Sequence, residues 1–220
     1  MKILIILNAF TCLCALAGAI YGIVCIFQSK RPMYFTMIVA SVGITAFSRL
    51  YEVVYMWTAG EYFRGFHIGI LGTIGTFLFV FTANYGAMDT LCDDGSDKFK
   101  KYRLAALAAP LVTAALYLPI LMSKSSVEIK ICFGFICAVI MMASYFNLKH
   151  LIIPDVDYGV IKCIRGYNLL MLIAGLFYML ELLGIAFNLA VLLYVSTACI
   201  GVISLLVVPV LKRGAEKWAI

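Results

Sequence analysis

Charged residues are scarce in this chain of 220 residues: only 13% are Asp, Glu, Lys or Arg, against about a quarter in an average soluble domain. Hydrophobic residues make up 65% of the chain, and its mean hydropathy is +1.06. A soluble domain of this size has too little interior to bury so many apolar side chains. The shortage of charge therefore excludes an ordinary water-soluble fold and predicts an all-α, polytopic transmembrane bundle in contact with a lipid bilayer.

Several kinds of chemistry lack the residues that they require. No Cys-x-x-Cys pair occurs, and six of the eight cysteines lie inside apolar runs, where a thiol behaves as a small hydrophobic group. The two histidines, His67 and His150, are expected at opposite membrane interfaces, too far apart to share a metal ion. The net charge of +6 is spread over short segments, which favours anionic lipid headgroups as partners and argues against nucleic acid. We therefore expect no cofactor, no nucleic-acid partner and, with one exception considered below, no metal site.

What the chain does contain is a series of long apolar stretches. Each is close to the roughly 20 residues that cross a hydrocarbon core of about 30 Å as an α-helix. The last two almost touch at Phe187 and Asn188, which predicts a tight hairpin. The sequence therefore predicts one bundle domain over residues 1–220 with seven transmembrane helices. Their expected bounds are approximately 4–27, 33–57, 67–88, 104–122, 129–146, 169–187 and 189–211.

The distribution of Lys and Arg predicts how the chain crosses the membrane, because cytoplasmic segments carry the excess of these residues. Four of them, Lys2, Arg64, Lys124 and Lys130, fall on one side, and twelve fall on the side that includes the C-terminus. The N-terminus is therefore expected outside and the C-terminus in the cytoplasm, in a plasma membrane of bacterial type. The twelve are Lys30, Arg31, Lys98, Lys100, Lys101, Arg103, Lys149, Lys162, Arg165, Lys212, Arg213 and Lys217.

Small residues recur at helical spacing in the first and third stretches. In the first stretch Ala15, Gly18 and Gly22 share one face, and the third stretch has a similar face. Both faces are predicted to pack closely against neighbouring helices, as small residues do in membrane bundles. The small residues of the third stretch are Gly65, Gly69, Gly72, Thr76, Ala83 and Gly86.

The order of the helices also allows an internal repeat. If the fourth helix is a linker, helices one to three and five to seven run in the same directions, and Glu52 in the second helix falls where Glu181 falls in the sixth. Parallel repeats of this kind occur in transporters. No longer sequence match joins the two halves.

Three ionisable residues, Arg49, Glu52 and Glu181, lie inside predicted helices, where a charge costs several kcal/mol unless it is paired or hydrated. At 1.5 Å per residue, each lies about 9 to 13 Å below the outer end of its helix. Arg49 and Glu52 are three residues apart and share a helical face. The three groups are therefore expected to meet in the outer half of the membrane.

Tyr55 and Tyr178 extend these polar faces, so the sequence predicts an outer-half pocket with one cation, two carboxylates and phenol hydroxyls. If both carboxylates crowd one arginine, one of them can hold a proton at neutral pH. The alternative is a buried ion-pair network that only fixes helix packing. Access to water would distinguish the two.

A second group of polar residues lies at the end of the third helix. Asp89 and Asp93 are four residues apart and can bind a magnesium diphosphate if the helix continues. This spacing resembles the aspartate-rich motif of UbiA-type prenyltransferases, but Asn84 stands one position away from the motif residue and the chain is shorter than that family. The resemblance would imply an enzyme that acts on a lipid diphosphate. The ordinary alternative is a turn at residues 94–97 followed by basic residues that face lipid headgroups.

These observations leave three functions open. We expect a ligand-binding or sensor-like module without covalent chemistry, in which Arg49 holds an anionic group of a small amphipathic ligand. Since nine residues follow Leu211, a separate cytoplasmic signalling partner is expected. A small secondary transporter with its proton on Glu52 or Glu181 is the first alternative, and the lipid diphosphate enzyme is the second.

Two seven-helix families have a similar layout. The helix count and orientation are similar to those of PQ-loop sugar transporters, but no Pro-Gln pair occurs in the chain. The layout also resembles the seven-helix sensor regions of bacterial kinases and cyclases, and that resemblance would imply a sensor.

Overall fold

The computed structural model describes residues 2–60, 65–154 and 160–218. Arg64, one of the basic residues predicted on the outer side, lies outside these ranges. Across these ranges there is no strand, and seven helices are long and apolar enough to cross a membrane. The predicted all-α bundle with seven membrane-spanning helices is confirmed. The helices are α1 (Lys2–Gln28), α2 (Met33–Ala59), α3 (Ile68–Cys92), α4 (Asp97–Met122), α5 (Val127–Ile152), α6 (Val160–Ala186) and α7 (Ala190–Trp218).

The direction in which the chain crosses the membrane remains a prediction from its basic residues. We call the end of the bundle at which α1 begins the outer end, following that prediction, and the opposite end the inner end. Helices α1, α3, α5 and α7 run from the outer end to the inner end, and α2, α4 and α6 run in the opposite direction.

Several helices are longer than the sequence predicted. Helix α5 ends at Ile152 where 146 was expected, and α6 begins at Val160 where 169 was expected. The expected bounds were wrong because Lys149 and Arg165 were placed in loops. The structure keeps both in helices, where Lys149 meets carboxylates and Arg165 Nη2 donates to the carbonyl oxygen of Ile153 at 3.1 Å.

Helix α3 changes its winding near the inner end. Residues Ala83–Met88 form a π-helix, which fits about one more residue into a turn than an α-helix does. Asn84 and Met88 are completely buried, and the change of rotation turns Gly86 outward. The predicted small-residue face therefore continues from Gly69 to Thr76 but does not include Gly86.

Six helices form a closed ring, in which each contacts the next in the order α1, α2, α3, α5, α6, α7 and back to α1. Helix α4 lies outside the ring against α5 and α6, and it is the least buried of the seven. This contact order is the one expected if α4 links two sets of three helices. The side chains of α2 and α6 meet across the inside of the ring, although the backbones of these two helices are not neighbours.

The predicted hairpin between α6 and α7 is present. Asn188 adopts a left-handed backbone conformation with φ of 56°, and Leu189 N donates to the carbonyl oxygen of Gly184 at 2.8 Å. Asparagine is one of the few residues that tolerates this conformation. A side chain at Gly184 would meet the backbone of Leu193 at 3.0 Å, so the two helices approach closely at the turn.

Candidate functional site

The outer half of the ring contains a buried cluster centred on Arg49 of α2, whose side chain is 3% exposed. Arg49 Nη1 donates to Glu52 Oε2 at 2.9 Å, to Glu181 Oε1 at 2.7 Å and to Asn8 Oδ1 at 3.0 Å. Arg49 Nη2 donates to Glu181 Oε2 at 2.5 Å. Both terminal nitrogens of the guanidinium are therefore occupied by groups from α1, α2 and α6.

Glu181 is the better bound of the two carboxylates. Its two oxygens accept from Arg49 as a bidentate pair, which is the strongest geometry that this ion pair has. Glu181 Oε1 also accepts from Thr197 Oγ1 of α7 at 2.8 Å. Thr11 Oγ1 of α1 donates to the carbonyl oxygen of Thr197 at 2.8 Å, so the same site joins α1 to α7.

Glu52 holds Arg49 through one oxygen only. Its other oxygen, Oε1, points at α3, where a side chain at Gly69 would meet it at 2.8 Å. A side chain at position 69 would therefore displace the Glu52 carboxyl group or the His67 ring, which it would meet at the same distance. Among the ion pairs of the described residues, Arg49 is the sole cation that reaches either Glu52 or Glu181.

A cavity of about 40 Å³ lies beside this cluster, between α2, α3, α5 and α6. Its polar lining includes Arg49, Glu52, Glu181, His67 and Thr73, and its apolar lining comes from Ile, Phe and Leu side chains of α3, α5 and α6. Gly65 and His67 line its outer part, at the start of α3. A cavity needs roughly 10–15 Å³ per water molecule, so this one holds two or three waters or one small chemical group, and not a drug-sized ligand of about 300 Å³ or more.

His67 closes the outer part of the cavity and caps α3. Its Nδ1 accepts from Gly69 N at 3.1 Å, and its ring stacks on Tyr51 with centroids 6.2 Å apart. Partial burial, and secondarily the positive charge of Arg49, lower the pKa of His67 to about 4. The ring is therefore neutral at pH 7, as its role as an acceptor requires.

The two predicted tyrosines lie in different places. Tyr178 lines the cavity, and Arg49 Cζ lies over its ring, 5.3 Å from the centroid. Its other neighbour is Phe77, whose ring meets it edge to face at 5.2 Å. Tyr55 lies outside the cavity lining, with its ring 6.4 Å from that of Tyr51. The structure therefore places Arg49, Glu52, Tyr178 and Glu181 around one cavity, whose lining does not include Tyr55.

A second buried cluster lies at the inner end. Lys149 Nζ of α5 lies 2.7 Å from Asp89 Oδ1 and 2.8 Å from Asp93 Oδ2, and His150 Nε2 lies 3.2 Å from the same Asp89 oxygen. The side chains of Lys149 and His150 are 4% and 0% exposed. His150 lies two residues from the end of α5 but faces the interior of the bundle, where Asp89 is its partner.

Lys149 argues against the alternative in which Asp89 and Asp93 bind a metal ion. It occupies the position between the two carboxylates that a divalent cation would take. Within the described ranges, no group of three or more His, Cys, Asp and Glu residues is placed to hold a metal ion.

The turn expected next to these residues is present, with Gly95 N donating to Asp93 Oδ1 and Ser96 N to Asp94 Oδ1, both at 2.9 Å. The hydrogen bond from Ser96 lowers the pKa of the Asp94 carboxyl to about 2.

Comparisons with protein-family models, with curated proteins and with solved structures find no match to this chain. The geometry of the two clusters therefore carries the functional inference.

Proposed function

We propose that the chain is a sensor-like binding module of the membrane whose outer-half site takes up a proton or a small cationic group. One observation carries this proposal: two buried carboxylates, Glu52 and Glu181, share a single guanidinium, beside a cavity with room for a few water molecules. Fully ionised, the three groups have a net charge of −1.

An unbalanced charge inside a membrane bundle is expensive. Removing a carboxylate from water costs several kcal/mol unless a partner compensates it, and Arg49 compensates one of the two. A proton on the second carboxyl group, or a cation in the cavity, removes the imbalance. Uptake of positive charge is therefore the chemistry that this site performs best.

Glu52 is the group that takes up the proton. Glu181 is held by two hydrogen bonds from Arg49 and one from Thr197, all of which favour its ionised form. Glu52 has one hydrogen bond from Arg49, and its free oxygen lies at the cavity and the α3 backbone. Protonation of Glu52 thus changes the contact between α2 and α3, which gives the module a conformational response.

The sign of the ligand follows from the same contacts. An anionic ligand on Arg49 would have to displace Glu181 or Glu52 from the guanidinium, at the cost of leaving that carboxylate without a partner. A cationic group meets Glu52 from the cavity side and displaces only a proton. Arg49 therefore acts as an internal partner that orients the carboxylates.

Hydrogen exchange of the protein in lipid nanodiscs tests the proposal. After correction for intrinsic rates, exchange of α2 and α3 amides near Glu52 and Gly69 is expected to depend on pH in the wild type. Glu52→Gln, which imitates the protonated form, is expected to abolish that dependence. Glu216→Gln serves as the control because Glu216 is half exposed and lies at the inner end. An equal pH dependence in the wild type and in Glu52→Gln would overturn the proposal.

Methylammonium, which fits a cavity of this size, probes the cationic ligand. Its addition to a weakly buffered sample of wild-type protein is expected to release protons, because it replaces the proton on Glu52. Glu52→Gln is expected to release none. Acetate, of similar size and opposite charge, is expected to leave the pH unchanged with both proteins.

A small proton-coupled transporter is the second candidate, and the inner cluster favours it. Helices α3 and α6 line the cavity at one end. At the other end they carry further polar residues, of which Asn84 and Tyr167 are buried and Asp89 is partly exposed. A transporter needs titratable or polar groups near both faces of the membrane, whereas a sensor needs them near one.

Proteoliposomes that contain a pH-sensitive dye separate the two candidates. The transporter candidate predicts that an outside acid pulse acidifies the lumen faster than in empty liposomes, and that Glu52→Gln removes the difference. The sensor candidate predicts the hydrogen-exchange response described above with lumen acidification equal to that of empty liposomes.

A further inference from the structure

His150 has an unusual pair of neighbours at the inner end. Its Nε2 lies 3.2 Å from Asp89 Oδ1, and its Nδ1 lies 3.3 Å from Asn84 Oδ1. A neutral imidazole has one N–H donor and one acceptor, whereas an imidazolium has two donors. Two acceptor oxygens on opposite sides of the ring are therefore satisfied together only when His150 carries two protons.

The orientation of Asn84 is set by two other residues. Asn84 Nδ2 donates to Asn147 Oδ1 at 2.7 Å, and the Tyr167 hydroxyl donates to Asn84 Oδ1. Asn147 is 1% exposed, and its Nδ2 has no hydrogen-bond partner among the described residues. A buried amide N–H group without an acceptor costs about 1–3 kcal/mol. This arrangement of hydrogen bonds is therefore unfavourable for Asn147.

A half-turn of both side-chain amides produces a second arrangement with the same heavy-atom positions. Asn84 Nδ2 then donates to His150 Nδ1 and to the Tyr167 hydroxyl oxygen, so Tyr167 changes from donor to acceptor at this contact. Asn147 Nδ2 donates to Asn84 Oδ1, and the Asn147 position that lacks a partner now holds its amide oxygen. The amide nitrogen of Asn147 gains its missing acceptor, and His150 needs only one proton, which Nε2 donates to Asp89. The two arrangements therefore differ by one proton on His150.

We propose that His150 is a second proton-binding site, in which Asn84, Asn147 and Tyr167 convert gain or loss of the proton into a change of hydrogen bonding between α3, α5 and α6. It lies at the opposite end from the Arg49 cluster and does not require the function proposed above.

The charges around His150 fit this role. Asp89 and Asp93 face it from α3, and Lys149 lies next to it on α5 between the two carboxylates. From α4, Arg103 reaches Asp93 at 3.6 Å with a side chain that is 29% exposed. From α6, Tyr167 brings its phenol, beside which lie Tyr34 of α2 and Cys92 of α3.

Asp89 connects the site to water at the inner end. Its side chain is 19% exposed, whereas His150 is completely buried. One carboxylate oxygen of Asp89 contacts both Lys149 Nζ and His150 Nε2. A proton from the inner solution therefore reaches His150 through Asp89.

Nitrogen NMR of protein labelled with ¹⁵N-histidine in lipid tests the proposal directly. The chain contains two histidines, so His67→Asn leaves His150 as the single signal. As the pH rises from about 4 to about 9, a span of a few units around the usual histidine value, the ring is expected to change from two protonated nitrogens to one. A single neutral tautomer throughout, or two protonated nitrogens throughout, would overturn the proposal.

Substitutions test whether the proton reaches His150 through Asp89 and whether Tyr167 is coupled to His150. Asp89→Asn removes the carboxylate that faces Nε2 and is expected to weaken proton binding at His150 by about tenfold or more. Asp97→Asn, an exposed carboxylate at the same end, is expected to leave it unchanged. Tyr167→Phe is expected to change the Nδ1 signal, because it alters the hydrogen bonding of Asn84. Equal proton binding in Asp89→Asn and Asp97→Asn would contradict the role of Asp89.

Discussion

At the scale of single residues, Arg49 shows why intramembrane charge is informative. Its side chain is almost completely buried, yet its two terminal nitrogens together make four hydrogen bonds. Such a group is stable in a membrane only as part of a set of partners, and removal of one partner leaves an unpaired charge. The loss in free energy of unfolding on substitution therefore depends on which partner is removed.

Two substitutions at this cluster are expected to differ greatly in stability. Arg49→Met leaves two carboxylates without a cation and is expected to lower the free energy of unfolding by about 3–5 kcal/mol. Glu52→Gln keeps a neutral hydrogen-bond acceptor for Arg49 and is expected to change it by less than about 1 kcal/mol. Unfolding in mixed micelles measures both, and similar losses for the two variants would contradict the assignment of the proton to Glu52.

His67 is expected to make stability depend on pH. Its pKa is about 4 in the folded protein, below the usual histidine value of 6.5. As the pH falls from about 6.5 to about 4, the unfolded chain takes up a proton that the folded chain excludes, so the free energy of unfolding decreases across this window and is constant above it.

His67→Asn isolates this effect. Asparagine is a good helix N-cap and does not titrate, so the cap on α3 remains while the proton uptake disappears. The difference in unfolding free energy between wild type and His67→Asn, measured from pH 4 to pH 8 or so, is expected to change only below about 6.5. A difference that is constant over the whole range would show that His67 does not titrate in this way.

Sequence alone could place the charged members of the outer cluster and not their neutral partners. Arg49, Glu52 and Glu181 are exceptional in apolar helices, and helix geometry alone gave them a common depth. Asn8 and Thr197 have no such signal, because single amides and hydroxyls are ordinary in membrane helices. The inner ion-pair cluster was not predicted, because nothing in the sequence shows that Asp89 and Asp93 turn toward Lys149 and His150.

At the scale of helices, close packing depends on glycines whose surroundings differ. A side chain at Gly18 of α1 would meet the backbone carbonyl oxygen of Ser204 of α7 at 2.7 Å. At Gly43 of α2 the nearest atom is Ala19 Cβ at 3.9 Å, an ordinary contact distance. Both glycines lie inside helices, so replacing each by alanine changes helix propensity equally. The two substitutions differ only in how closely a neighbouring helix packs against the glycine.

Gly18→Ala is expected to destabilise the protein by about 1–3 kcal/mol, because the α7 backbone must move. Gly43→Ala is expected to be neutral or to stabilise it by up to about 1 kcal/mol, because alanine is the better helix former. Thermal unfolding in detergent measures the two variants side by side. Equal effects would mean that α1 and α7 are not as close as the structure places them.

The π-helical part of α3 explains why the inner cluster was harder to predict than the outer one. An unbroken α-helix would keep Gly86 on the packed face with Gly72 and Thr76, as the spacing predicted. The π-helix over Ala83–Met88 instead turns Gly86 outward and brings Asp89 to α5. No residue type marks a π-helix, so the spacing of small residues could not reveal it.

At the scale of the whole molecule, the ring of six helices places both polar clusters inside one bundle. The two carboxylates of the outer cluster come from α2 and α6, the second helix of each set of three. An internal repeat with α4 as its linker would account for this placement and for the position of α4 outside the ring.

The orientation of the molecule remains a prediction that topology mapping checks. An epitope inserted between Asp94 and Gly95, in an exposed turn at the inner end, is expected to be protected in intact cells and accessible after permeabilisation. An epitope inserted after Gly60, at the outer end, is expected to be accessible in intact cells. The reverse pattern would place the Glu52 cavity toward the cytoplasm.

Infrared spectroscopy of the carboxyl groups shows whether Glu52 holds a proton beside Arg49. Wild-type protein in lipid at neutral pH is expected to show the absorption of a protonated, buried carboxylic acid, which Glu52→Gln removes and Glu216→Gln keeps. If the wild type shows no such absorption, or if it persists in both Glu52→Gln and Glu181→Gln, the two glutamates do not hold a proton beside Arg49 and the proposed site does not bind positive charge.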